Sequence, residues 1–329
     1  MNMIRSFSRK DFIKLSAGAA ALIAAGRIQL FSGQGKEVTG IRLGGPVMQK
    51  YQDPEEWIQL LKLAGYRAAY CPLDASATPD EIKAYRNAAS SADMVIAEVG
   101  AWSNTVSPDE LQRKSAIKQC IEGLQLAEEI GANCCVNISG SRNRNYWAGP
   151  HPDNISNETF DLVVETTRKI IDAVNPGRTF FSLEAMPWSF PYSPDSYLDL
   201  IRAIDRKHFG VHLDPVNMII SPQIYFRNGA LIKECFSKLG PYIRSCHAKD
   251  ILLKEDVYMP QLEEVRPGLG TLDYAVFLQE LVKLNNVPFM MEHLQTEAEY
   301  RQAGDYIRSV GRQTGILILN DQGRAKERG

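Results

Sequence analysis

From about residue 38 onward, short apolar runs alternate with longer stretches in which apolar side chains recur at helical spacing, and the pairing repeats eight times. The runs with strand character are VTGIRLG (38–44), YRAAYCP (66–72), DMVIAEVG (93–100), CCVNIS (134–139), TFFSLEA (179–185), FGVHLD (209–214), IRSCHAK (243–249) and PFMMEHL (288–294). Each is brief, apolar and punctuated by Gly or Pro. Between them, DPEEWIQLLKLAG (53–65) opens on Asp-Pro and ends in Gly, the composition of a capped helix. SPDELQRKSAIKQCIEGLQLAEEIGA (107–132) is the longest such stretch, and SPDSYLDLIRAID (193–205) and TLDYAVFLQELVKLN (271–285) repeat the pattern.

Eight βα units in a row predict an α/β chain folded as a closed (β/α)8 TIM barrel, because open sheets generally hold fewer strands. No composition shift or low-complexity linker divides it, so residues 31–329 read as a single catalytic domain. The two longest connections, 140–156 and 250–270, show no regular pattern. Both leave the C-terminal ends of strands, where such barrels carry their active sites.

Ahead of the barrel, SRKDFIK (8–14) precedes LSAGAAALIAAG (15–26), a charged head followed by a small-residue apolar stretch. That arrangement predicts an export signal over residues 1–30. It resembles a twin-arginine signal, with Lys10 in place of the second arginine and Ile13 in place of leucine. The resemblance implies a periplasmic or other extracytoplasmic protein, exported folded, whereas a non-functional signal would leave it in the cytoplasm. The apolar stretch is too short to cross a bilayer comfortably, so no stable membrane span is expected in the mature chain.

Composition narrows the function classes. Of the 329 residues, 44% are hydrophobic and 23% charged, ordinary proportions for a chain with a substantial core, and the formal net charge is −2. No basic block follows the first residues, which argues against a nucleic-acid partner. The six cysteines form no CxxC pair and mostly lie inside apolar runs, where they read as small buried hydrophobes.

The chemistry concentrates at strand ends. In FFSLEAMPW (180–188) the only charged residue is Glu184, and a carboxylate in a buried strand is costly without a partner. Three further strand candidates end in a metal-ligating type, namely Asp214, His247 and Glu292. These residues recur at about one βα repeat, and neighbouring strands lie about 5 Å apart, so four strand tips can converge on one ion. Three carboxylates gathered without a cation would raise one another's pKa, and a divalent ion removes that repulsion. Three oxygen donors with one imidazole suit Mn²⁺ best, with Mg²⁺, Co²⁺ or Zn²⁺ as alternatives.

Taken together, SLEAMPW, VHLDPVNMI, CHAKD, RPGLGTLDY and MMEHL resemble the sugar phosphate isomerase/epimerase family, the xylose isomerase-like barrels, over nearly the whole mature chain. The resemblance implies that Glu184, Asp214, His247 and Glu292 bind a divalent metal and that Glu184 and Glu292 also serve as acid and base. It implies a small carbohydrate substrate whose α C–H is deprotonated to an enediolate, leading to isomerisation or epimerisation. Two positions depart from the ketose 3-epimerases of this family. Asn217 stands where a substrate-touching histidine is common, and Arg266 directly precedes Pro267 instead of sitting earlier in the loop. A related branch acts on 3-keto-glycosides, expelling the C1 substituent by β-elimination or adding water to the resulting glucal, and this lyase or hydratase activity is the alternative reading.

Around the four ligands, Lys249 shares the face of His247 and is a candidate to polarise a substrate oxygen. His212, two residues before Asp214, also points inward and reads as a supporting partner rather than a ligand. With His212, the residues Asn217, Trp188, His151 and Arg266 complete the candidate substrate-binding set. Trp102, Tyr146 and Trp147 fall on the same predicted face, where aromatic rings can stack on sugars. An apurinic endonuclease on the same barrel is disfavoured by the presence of only five histidines and the lack of a basic groove. A non-catalytic sugar-binding protein is the third class, and the sequence leaves homo-oligomerisation open.

Overall fold

In the computed structural model, which describes residues 40–320, eight parallel strands close on themselves. They are β1 (Arg42–Gly45), β2 (Ala68–Tyr70), β3 (Val95–Gly100), β4 (Cys134–Asn137), β5 (Phe180–Glu184), β6 (Phe209–Leu213), β7 (Ile243–Ala248) and β10 (Pro288–Met291). Around the barrel their order is β1-β10-β7-β6-β5-β4-β3-β2, and β1 pairs with both β2 and β10 to complete the circle. The predicted (β/α)8 barrel is therefore the observed fold. The expected export signal lies outside the described residues.

The connecting helices are α1 (Pro54–Leu63), α2 (Pro79–Ser91), α3 (Glu110–Ile130), α4 (Asn157–Val174), α5 (Pro194–Ile204), the short α6 (Pro222–Tyr225), α7 (Asn228–Leu239), α8 (Tyr274–Leu281) and α9 (Glu297–Thr314). Their starts follow from local chemistry. Asp53 caps α1 by accepting the Glu56 N–H, with Pro54 in the first turn. Thr78 with Glu81 and Thr296 with Glu299 form reciprocal capping boxes on α2 and α9. Gly131, in the left-handed region at φ 83°, ends α3.

Large apolar side chains fill the layer between strands and helices. Trp57, Phe181, Phe277 and Phe289 are almost completely buried, each contributing roughly 1.5–3 kcal/mol. At the site end of the barrel, the Tyr197 hydroxyl on α5 meets the carbonyls of Leu183 and His212. It thereby ties this helix to the two strands that carry Glu184 and Asp214. Inside the barrel β1 comes too close to its neighbours for a side chain. A Cβ at Gly44 would stand 2.5 Å from the Ala68 carbonyl oxygen and 2.6 Å from the Met290 sulfur.

The connection 250–270, which lacks a regular sequence pattern, is in fact an antiparallel hairpin of β8 (Asp250–Leu253) and β9 (Leu262–Val265). Its strands are only four residues long and just two of their eight positions are buried, so the polar tip between them hides the period-two signal. Asp250 anchors the base of this hairpin. Its carboxylate is fully buried and accepts the backbone N–H groups of Ile251, Gly268, Gly270 and Leu272. The connection 140–156 is irregular apart from a single 3₁₀ turn, Pro152–Ile155.

Candidate metal centre

The side chains that the sequence singles out at four strand ends meet in the structure. Glu184 ends β5, Asp214 follows β6, His247 lies in β7 and Glu292 follows β10, and each offers one ligand atom within 4.8 Å of the others. His247 Nδ1 is central, 2.7 Å from Glu292 Oε1, 3.3 Å from Glu184 Oε1 and 3.9 Å from Asp214 Oδ2. Glu184 and Glu292 come from strands separated by β6 and β7, so they approach that nitrogen from different sides.

Lys249 joins the cluster as its second cation. Its Nζ lies 2.5 Å from Glu292 Oε1, 2.9 Å from Asp214 Oδ2 and 3.9 Å from Glu184 Oε1. It also lies 3.4 Å from Glu264 Oε2, a residue that β9 carries in over the site. Asn217 Nδ2 donates to Glu184 Oε1 at 2.9 Å. His293, in the left-handed region at φ 58°, turns its Nδ1 to Glu264 Oε1 at 2.9 Å.

A further acid, Glu98 on β3, is fully buried behind His247. Its Oε1 lies 3.2 Å from His247 Nε2, and its Oε2 accepts the Ser245 hydroxyl at 2.8 Å and lies 3.3 Å from His212 Nδ1. The His212 and His247 rings meet edge to face with centroids 4.0 Å apart. With an ion bound, a carboxylate at Nε2 would keep the His247 proton there and leave Nδ1 to ligate, a common arrangement behind metal-bound histidines. His212 therefore sits as a partner of Glu98 and His247 below the cavity.

The electrostatics are strongly perturbed. Burial pushes Glu184 up to about 7, against the pull of His247 and Lys249. Burial acts on Glu292 in the same sense, but His247, Lys249 and His293 outweigh it and hold its carboxyl below the usual range. Burial disfavours the charged forms of His247 and Lys249, yet the surrounding carboxylates raise both well above their ordinary values. Burial pulls His212 down to about 4.

These residues fit a divalent cation. Five acidic side chains, Glu98, Glu184, Asp214, Glu264 and Glu292, surround His247 and Lys249, so acids outnumber the buried cations. Asp214 Oδ2 and Glu292 Oε1 are buried and accept no hydrogen bond of normal geometry, although charged nitrogens stand close by. Three carboxylate oxygens and one imidazole nitrogen would hold the ion.

A cavity of about 880 Å³ opens above the cluster, lined at its floor by Glu98, Glu184, Asn217, Lys249, Glu264 and Glu292. Trp102, after β3, and Tyr146 and Trp147, after β4, also line it and are partly exposed. The other substrate candidates lie elsewhere. Trp188 and His151 line a separate depression with Tyr192 and Ile220, and the Trp188 indole donates to the Ala148 carbonyl at 2.7 Å. Arg266 donates to the Pro267 carbonyl at 3.0 Å and does not line the cavity. Glu98 and Glu264 are the residues that sequence reasoning missed. Glu98 carries the same signal as Glu184, an acid inside an apolar strand, whereas Glu264 depends on a hairpin that the pattern does not reveal.

Solved structures share this architecture. The D-psicose 3-epimerase of Clostridium cellulolyticum H10, solved with D-tagatose, superposes with a TM-score of 0.60 at 17% identity, over 82% of this chain and 99% of its own. A xylose isomerase-like TIM barrel protein of Mycobacterium smegmatis in complex with magnesium gives 0.59 at 16% identity, over 84% and 98%. The 3-keto-D-glucoside 4-epimerase of E. coli gives 0.57 at 15% identity, over 82% and 99%. At such identities the likeness is one of fold. No curated protein sequence matches the chain. The model of the xylose isomerase-like TIM barrel family matches residues 58–310, most of the barrel, and the chain belongs to that family.

Proposed function

We propose that this protein moves a proton at the carbon beside a sugar carbonyl, with Glu184 and Glu292 as the two proton carriers. The observation that carries the reading is their placement: two carboxylates from separated strands converge on one imidazole nitrogen at the floor of a sugar-sized cavity. One carboxylate takes the α proton, and the other returns a proton from the second side, which inverts or relocates the centre. Lys249, at ion-pair distance from both, holds a compensating positive charge beside the reacting oxygens. Asn217 fixes Glu184 Oε1 and so orients that carboxylate.

Glu184, Asp214, His247 and Glu292 would hold a divalent ion, Mn²⁺ by donor type, which when bound offsets the negative charge that develops on the substrate oxygens. Family membership, and the presence of two sugar epimerases among structures of like fold, support a carbohydrate as the substrate class. A 3-keto-glycoside, from which the same proton abstraction would expel the C1 substituent, is the second reading, favoured by a cavity with room beyond one ring. The twin-arginine-like segment supports export, which cell fractionation would test.

The test is incubation of Mn²⁺-loaded protein with free ketoses and 3-keto-glycosides in D₂O. Deuterium at the carbon beside the carbonyl is the expected result, and aglycone release distinguishes elimination from epimerisation. No exchange and no release with any substrate would contradict the proposal.

A further inference from the structure

We propose that the cavity takes an uncharged carbohydrate of two rings, with the carbonyl sugar over the carboxylate floor and a second ring against the aromatic wall. The placement of the first ring rests on the proton-transfer reading above. The second ring's subsite rests on separate observations.

At about 880 Å³ the cavity is at the upper end of the ~300–1,000 Å³ typical of small-molecule sites, and the four ligand candidates all come from the arc β5, β6, β7 and β10 of the barrel. The connections after β3 and β4, across from β7 and β10, bring in aromatic rings. Trp102, Tyr146 and Trp147 are 42%, 58% and 39% exposed, so three large rings face the cavity or its mouth without being covered by the protein. Aromatic residues left open beside a site supply flat apolar surface, and sugar rings present C–H faces that suit it.

Two of these rings are seated by glycines on different connections. A Cβ at Gly100, the last residue of β3, would stand 2.5 Å from the Trp102 indole nitrogen, so the indole lies across the tip of that strand. A Cβ at Gly149 would stand 3.0 Å from the Tyr146 ring. Gln119 reaches from α3 to the Trp102 carbonyl at 3.4 Å and, with Glu122, lines the same wall, offering polar groups for hydroxyls.

Charge sets the chemical class. The lining carries Asp74, Glu98, Glu122, Glu184, Glu264 and Glu292, whereas among the described residues no arginine lines it and its two basic side chains, Lys249 and His293, are already paired with carboxylates. A phosphate or carboxylate on the second ring would meet like charge without a partner. A neutral polyhydroxyl ring meets none of that cost.

Calorimetric titration of the Mn²⁺-loaded protein with lactulose, isomaltulose, D-fructose and D-fructose 6-phosphate tests this. At least one of the two ketose disaccharides should bind about tenfold tighter than D-fructose, a gain of about 1.4 kcal/mol, and the phosphate ester should bind more weakly than D-fructose. Replacing both exposed indoles, Trp102→Ala with Trp147→Ala, should bring the disaccharide preference to within about twofold, in line with the loss of ring stacking. D-fructose binding as tightly as both disaccharides, tighter binding of the phosphate ester, a preference that survives the double substitution, or no binding of either disaccharide would overturn the subsite. A preference that depends on the tryptophans in a protein that catalyses no deuterium exchange would uphold the subsite and reject the proton-transfer reading.

Discussion

His247 is held between two layers of acid: its Nε2 lies 3.2 Å from Glu98 Oε1, while its Nδ1 faces Glu184 and Glu292. The buried carboxylate thus orients the ring whose other nitrogen would ligate the proposed ion. Removing it should weaken metal binding without touching a ligand. We expect Glu98→Gln to lower Mn²⁺ affinity about 10–100-fold, the usual cost of losing such a partner. Calorimetric Mn²⁺ titration checks this, with the d–d spectrum of the Co²⁺ form reporting the changed ring orientation. Unchanged affinity together with an unchanged spectrum would remove Glu98 from this role.

His212 gives the metal-free protein a pH dependence. Its folded-state pKa is depressed to about 4 by burial, so between the free value of 6.5 and about 4 the unfolded chain binds a proton that the folded chain refuses. The stability this group contributes is complete above pH 6.5 and is lost as pH falls toward 4, on the order of 3 kcal/mol in all. Chemical denaturation across that range in the presence of a chelator should show a shallower decline for His212→Gln than for the unsubstituted protein. Parallel declines would mean that other groups control the acid limb.

Asp250 should matter for stability and for the position of Glu264. Asp250→Ala leaves four backbone N–H groups without their acceptor, and since the glycine loop can in part turn to water, the expected loss is about 2–3 kcal/mol. Thermal unfolding measures the loss, and hydrogen exchange should show residues 262–272 opening first. An unchanged melting temperature would show that the hairpin base is held by other contacts.

The fold was legible in the sequence because each strand is a short apolar run and every described helix except α7 carries a capping side chain at its start, as Asp53 and Thr296 do. Three of the four candidate ligands lie at or just past the ends of their strands, and a closed barrel brings such ends together, so Glu184, Asp214, His247 and Glu292 could be grouped before any coordinates. What depends on side-chain direction or long-range register could not be read in this way. Trp188 shares a segment with Glu184, yet its hydrogen bond to Ala148 turns it to a different depression, where His151 also lies. Glu264 reaches Lys249 only because β8 and β9 pair in one register, with Asp250 opposite Val265.

In the proposed reaction Glu184 and Glu292 carry the proton. The most direct measurement is solvent exchange in D₂O by the Mn²⁺-loaded protein on a ketose or 3-keto-glycoside that it turns over, comparing the unsubstituted chain with Glu184→Gln and Glu292→Gln. Deuterium beside the carbonyl is expected for the unsubstituted chain, with a fall of about 10²–10⁴-fold for each variant and Mn²⁺ occupancy confirmed by elemental analysis. Exchange that continues at the original rate in either metal-loaded variant would contradict the proposed reaction.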